Sequence, residues 1–209
     1  MKKYFSCIVL YFLKGQPLAA QAVDSTGQNN WTTHFQLTVI SQKHSGFKAS
    51  YSGVNSLADS VEPAATSITT TLFLGRRLWK GAAAYFNPEL SGGRGLSYAV
   101  GVAGALNGET YRIGDPAPGV SVARAYLQQD FPLGNTGYEN AEDGPNQVMG
   151  KIPSSRISII AGKFSISDFY DNNNYSHDPR TQFLNWSPMS NGAWDYPANT
   201  KGYTTGLIA

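Results

Sequence analysis

The sequence predicts an all-β chain, an antiparallel transmembrane β-barrel wall of which about six strands are present, fewer than the roughly eight that close a barrel. Three observations lead there. Apolar and polar residues alternate with a period of two along several segments, as they do in strands with two unlike faces. The connections between those segments are long and short by turns, the plan of a barrel with long external loops and tight periplasmic turns. Charged residues also stand in mid-strand on the polar faces (Glu89, Arg124, Asp130), and Trp79 and Tyr203 stand at strand ends, where barrels keep aromatic girdles. A soluble β-sandwich alternates in the same way, so both architectures stand at this level, and only the third observation favours the barrel.

The first element is a leader. Residues 1–22 open with Met1-Lys2-Lys3, continue through the apolar run from Tyr4 to Leu13 and end on Ala20-Gln21-Ala22, the three-part layout of a secretory signal peptide. The apolar run is well short of the roughly 20 residues that span a bilayer, and Lys14 closes it. Cys7 lies inside this segment, so residues 23–209 carry no thiol and no disulfide. Export removes three lysines and leaves 13 basic against 14 acidic side chains, a net charge of about −1. No basic footprint for nucleic acid remains. With 22 glycines, 12% aromatic residues and a mean hydropathy of −0.28, the composition suits strands better than helices.

Strands follow in order. Over about 32–41, Phe35, Leu37 and Val39 oppose His34, Gln36 and Thr38; over about 66–75, Ile68, Leu72 and Leu74 oppose Ser67, Thr69 and Thr71. The link Gly75 to Gly81, glycine at both ends, reads as a hairpin into a third strand over about 81–90. There Ala82, Ala84 and Phe86 oppose Tyr85, Asn87 and Glu89. A fourth, about 120–131, sets Ala123, Ala125, Leu127 and Phe131 against Arg124, Tyr126, Gln128 and Asp130. The fifth, Arg156 to Ser167, is less regular and calls for a bulge near Gly162. The sixth runs from Tyr203 to Ala209. Among the connections, 132–155 breaks the alternation, being too long for a simple periplasmic turn.

The segment 168–202 is too aromatic for a linker and too polar for a core. Asp168, Asp171, Asp178, Asp195 and Arg180 are interleaved with asparagines, among them Asn185, and with Phe169, Tyr175, Phe183, Trp186 and Trp194. Flat rings stack on the C–H faces of sugars, and planar carboxylate, amide and guanidinium groups hydrogen-bond paired hydroxyls. Loops longer than about 15 residues in a compact protein are functional or disordered, and this composition argues against disorder. Arg180 reads either as a guanidinium lining a constriction or as half of an ion pair with Asp171 or Asp178. Trp186 and Trp194 read either as stacking platforms or as anchors. The run Asp171 to Asp178 is oxygen-rich but lacks EF-hand spacing, and His34, His44 and His177 lack metal-ligand spacing, so no metal and no cofactor is expected. No catalytic motif accompanies the carboxylates, although a glycosidase needs only two of them suitably spaced.

The runs TLFLGRRLWKGAAAYFNPELSGGRGLS, NGETYRIGDPAP, ARAYLQQDF and above all GKFSISDFYDNNNYSHDPRTQFLNWSPMSNGAWDYPANTKGYT resemble the carbohydrate-selective outer-membrane porins, the OprB-like family. The resemblance covers about 32–209. It implies a porin-type barrel, non-enzymatic passive diffusion of carbohydrates, outer-membrane lipid as surroundings, and a homo-oligomer as an open possibility. It also implies that the chain is the N-terminal portion of such a barrel. Segment 168–202, as the third long connection, is then expected to fold inward as the constriction, with Asp168, Asp171, Asp178, Arg180, Asn185, Trp186, Trp194 and Asp195 on the sugar pathway. Tyr85, Glu89, Arg124 and Tyr126 are expected on the lumen wall. A secreted, lectin-like sandwich using the same loop is the alternative.

Overall fold

The computed structural model describes residues 9–13, 30–109, 117–170, 174–189, 197–199 and 201–209. Its framework is an antiparallel sheet of β1 (Val9–Leu13), β2 (Trp31–His44), β3 (Glu62–Trp79), β4 (Ala82–Gly93), β5 (Gly119–Pro132), β8 (Arg156–Phe164) and β9 (Thr204–Ile208), hydrogen-bonded in that order. Two short strands, β6 (Tyr138–Ala141) and β7 (Gly150–Pro153), form a separate hairpin. Six of the seven strands in the large sheet are the predicted ones. The additional strand, β1, lies inside the apolar stretch read as a leader and pairs with β2 from Val9↔Ser41 to Leu13↔Leu37. Among the described residues the sheet is open, with β1 and β9 as its edges.

Register divides the sheet into two faces, since paired residues share a side and neighbours along a strand alternate. One row runs Thr32, Gly75, Tyr85, Tyr126, Gly162, Gly206, and the next row on that side joins Asn87 to Arg124. A register shift between Asn87 and Pro88 makes Ala123 the extra residue of β5, so Glu89 stays on the face of Asn87 and Arg124. The predicted assignment of Tyr85, Asn87, Glu89, Arg124, Tyr126 and Gln128 to one side is therefore observed. This side is covered by connections, and its polar residues are buried: Thr38 is 3% exposed, Thr71 3%, Asn87 0% and Asp130 8%. The opposite side carries Phe35, Ile68, Leu72, Leu74, Phe86, Leu127, Phe131 and Ile157, and nothing covers it among the described residues. Phe35 is 50% exposed and Phe86 44%.

Two sequence expectations need correction. Gly75 does not begin a hairpin loop; it lies within β3, opposite Tyr85, where a Cβ would stand 2.8 Å from the Tyr85 ring. The turn is only Lys80-Gly81, because β3 continues to Trp79, which pairs with Ala82. Nor does β8 bulge at Gly162. Its register with β5 runs unbroken from Lys163↔Ala125 to Arg156↔Pro132, with Ile160 and Phe164 buried on the covered side. Gly162 instead adopts φ +137°, and a Cβ there would meet Tyr126 Cα at 2.7 Å.

The apolar core is small and sits on the covered face. Tyr85, Tyr126, Ile160 and Phe164 pack with Val148 from the 133–155 connection, and Phe169 joins them edge-on, its ring centroid 5.5 Å from that of Phe164. Phe169 thus anchors the start of the aromatic segment.

Candidate functional site

Connections 45–61, 94–118 and 165–203 leave the sheet at one end, and the Lys80-Gly81 turn and connection 133–155 leave it at the other. The site is built where connections from both ends fold back over the polar face.

At the start of the aromatic segment, Ser165 caps a single 3₁₀ turn, Ile166–Asp168, whose Asp168 carboxylate accepts the Ser165 N–H at 3.2 Å. The same carboxylate receives Arg124 in a fork, Nε at 2.6 Å and Nη2 at 2.5 Å. A planar guanidinium matches a carboxylate in this way, and the geometry fixes direction as well as distance. The other end of the segment is held by the same wall. Tyr203 lies with its ring centroid 5.4 Å from the Arg124 guanidinium carbon and donates its hydroxyl to Glu89 Oε2 at 3.3 Å, which also accepts Thr71 Oγ1 at 3.1 Å. Asp168, Arg124, Tyr203 and Glu89 therefore bind both ends of the segment to β4 and β5. Tyr203 serves as a clamp under the connection, which corrects its predicted place in an aromatic girdle. Trp79 does stand exposed at a strand end, donating Nε1 to Gln129 at 2.8 Å.

Arg180 carries the segment across the face to β2. Its Nε donates to Thr38 Oγ1 at 3.0 Å, its Nη1 to Asp178 at 3.2 Å and its Nη2 to Glu109 at 2.6 Å. Asp178 is itself tied by the Arg180 N–H and by Thr181 Oγ1 at 2.7 Å. Burial pushes the Asp178 carboxyl up, but Thr181 and Arg180 outweigh it and hold the group below its ordinary value. The ion-pair reading of Arg180 is thus realised with Asp178, and Glu109 joins it as a second carboxylate. Glu109 is almost fully buried, its side chain 5% exposed, and burial raises its pKa to about 7 despite the attraction of Arg180, with Glu89 and Asp178 adding to the rise.

Glu109 was missed by sequence reasoning. The one available signal was an acid directly after the apolar, glycine-rich stretch 95–108. The described part of that connection before residue 110 also folds inward: Asn107 Nδ2 donates to Ser67 Oγ at 3.1 Å, Gln42 Nε2 to the Leu106 carbonyl at 3.1 Å, and Gly108 N–H to the Leu184 carbonyl at 2.7 Å. Asn185 accepts the Ser187 N–H at 2.9 Å and so starts the short helix α1 (Trp186–Met189), in which Trp186 is half-buried. Asp171, Trp194 and Asp195 lie outside the described residues.

From the opposite end comes the hairpin β6–β7, which accounts for the length of 133–155. It is no simple turn. Its tip reaches β2, where the Gly144 carbonyl accepts Thr32 Oγ1 at 3.3 Å and Asp143 pairs with His34 at 3.1 Å. Arg77 Nη2 donates to the Val148 and Met149 carbonyls at 3.3 and 3.1 Å. Loop and hairpin converge on a cavity of about 250 Å³, lined by Gln36, Thr38 and Phe73 of the wall, Asp178 and Arg180 of the loop, and Pro145 of the hairpin tip. Such a cleft offers hydroxyl, amide and carboxylate groups beside the aromatic residues Phe35 and Phe73. Comparison with protein-family models, with curated proteins and with solved structures found no match.

Proposed function

We propose that the chain forms part of the wall of a porin-type barrel in the outer membrane, through which carbohydrates diffuse passively and selectively. The observation that carries this reading is the inverted polarity of the sheet. A soluble protein buries its apolar face and wets its polar one. Here Thr38, Thr69, Thr71, Asn87 and Asp130 lie on the covered side, while Phe35, Ile68, Phe86, Leu127 and Phe131 stand in the open. A sandwich core would have to satisfy the covered polar atoms, yet among the described residues Thr69 Oγ1 and both side-chain polar atoms of Asn87 have no hydrogen-bond partner. The uncovered face suits hydrocarbon. In this reading the edge strands pair with further strands, because lipid leaves an open sheet edge unsatisfied.

The sugar pathway runs beside the Asp178, Arg180 and Thr38 cluster, where the connections narrow the polar face. Carbohydrate as the solute rests on the polar and aromatic lining there and on the sequence resemblance. The test is fractionation followed by solute uptake. Expressed with its leader, the chain is expected in the outer-membrane fraction, resistant to carbonate extraction, and proteoliposomes bearing the pore are expected to swell faster in monosaccharides than in larger oligosaccharides. Recovery as a soluble periplasmic protein that binds sugar would instead favour the lectin reading.

A further inference from the structure

A second cavity lies under the β6–β7 hairpin, on the same covered face of the wall but toward the end of the sheet opposite the aromatic segment. It encloses about 180 Å³, and its lining brings together Arg77, Lys80, Lys151 and Arg156 with one carboxylate, Asp130, and the ring of Tyr138. The single carboxylate is already engaged, accepting Ser158 Oγ at 2.6 Å and Gln128 Nε2 at 3.1 Å. Arg156 is partly neutralised by Glu139 at 3.1 Å, an exposed group outside the lining. Arg77 is held in place by its two backbone acceptors and by Gly150, where a Cβ would stand 2.7 Å from Nη2. Lys80 and Lys151 form no ion pair among the described residues.

We propose that this cavity binds the anionic group of a small acidic sugar, a sugar phosphate or a uronate, with the sugar ring against Tyr138. The charge balance selects the class of ligand. Four cations converge on one occupied carboxylate in a half-enclosed space, where opposite charges attract more strongly than in open water. Arg77 is already fixed by the fold through Nη2, so little side-chain freedom is lost when its remaining N–H groups meet an anion, and the two lysines supply mobile point charges of the kind that suit phosphate and carboxylate. Tyr138 is 51% exposed and lies on the hairpin, which leaves a ring free to meet an apolar sugar face. On the pore reading, this would be a second, anion-preferring station at the end of the sheet opposite the loop, as rings of Arg and Lys act in anion pores. The binding itself does not depend on conduction.

The experiment is calorimetric titration of the detergent-solubilised full chain with glucose 6-phosphate, glucuronate, glucose and inorganic phosphate. Both acidic sugars are expected to bind at least about tenfold more tightly than glucose, and to weaken as salt rises. The double variant Lys80→Gln/Lys151→Gln, which breaks no described hydrogen bond, should abolish that preference with an unchanged circular dichroism spectrum. Tyr138→Ala should weaken glucose 6-phosphate but not inorganic phosphate. Equal affinity for glucose and its phosphate, or a preference that survives the double variant, would overturn the anion site. Inorganic phosphate binding as tightly as glucose 6-phosphate would overturn the sugar as its ligand. A pore that fails to swell liposomes but still shows this pattern would separate the cavity from the transport reading.

Discussion

The buried Glu109–Arg180 pair makes the hold of the aromatic segment pH-dependent. Glu109 has a folded pKa of about 7 against an ordinary 4.5. Between those values the folded state binds the proton that the unfolded loop releases, so the group's contribution is fully present below about pH 4.5 and is lost as pH rises through about 7. A displacement of that size corresponds to about 3 kcal/mol at 1.36 kcal/mol per unit. With a side chain 5% exposed, little of it is screened away. Glu109→Gln keeps an oxygen acceptor for Arg180 Nη2 but cannot ionise. Hydrogen exchange of peptides from 174–189, corrected for intrinsic rates, should show protection falling by about 3 kcal/mol in opening free energy from pH 4.5 to 7.5 in the parent chain. In Glu109→Gln the protection should be flat. A parent profile without slope, or the same slope in the variant, would refute the assignment of a proton to Glu109 in the folded loop.

Asp168→Ala leaves the half-buried Arg124 guanidinium without its fork, and should cost about 2 kcal/mol in urea unfolding, with Arg124→Lys giving no bidentate replacement. Gly75→Ala forces a methyl against Thr32 and the Tyr85 ring and should lower stability by about 1 to 3 kcal/mol, read by thermal unfolding. Arg180→Ala removes the link to Thr38 and Glu109; sugar block of ion current through the assembled pore should change while the protein stays inserted.

Much of the sheet was legible because alternation is local. Phe35, Leu37 and Val39 against His34, Gln36 and Thr38 need only a period of two, and the structure keeps every one of those assignments. Irregularities were legible only where the residue itself announces them. Gly162 did so, but its chemistry was misread: an unusual φ inside an unbroken ladder looks, in sequence, like a bulge. The actual shift, at Asn87/Pro88, depends on which β5 residue is left over, and that is settled by pairing across strands. Site residues divide in the same way. The faces of Arg124 and Glu89 followed from strand alternation, whereas Glu109 acquires meaning only from Arg180, 71 positions away, and the inward hairpin from contacts of Gly144 with Thr32. Long-range partners of that kind leave no periodic trace.

The central claim is that the uncovered apolar face of the sheet meets hydrocarbon and the covered polar face meets water. The sequence has a single cysteine, Cys7, so in a Cys7→Ser background single cysteines can be placed one at a time. Spin labels at Phe35, Phe86 and Leu127 on one side, and at Gln36 and Gln128 on the other, would be compared in liposomes for collision with oxygen and with a water-soluble nickel chelate. The account predicts oxygen-dominated collision at Phe35, Phe86 and Leu127 and chelate-dominated or shielded behaviour at Gln36 and Gln128. Chelate access at Phe35, Phe86 and Leu127 equal to that of a fully hydrated site would contradict it.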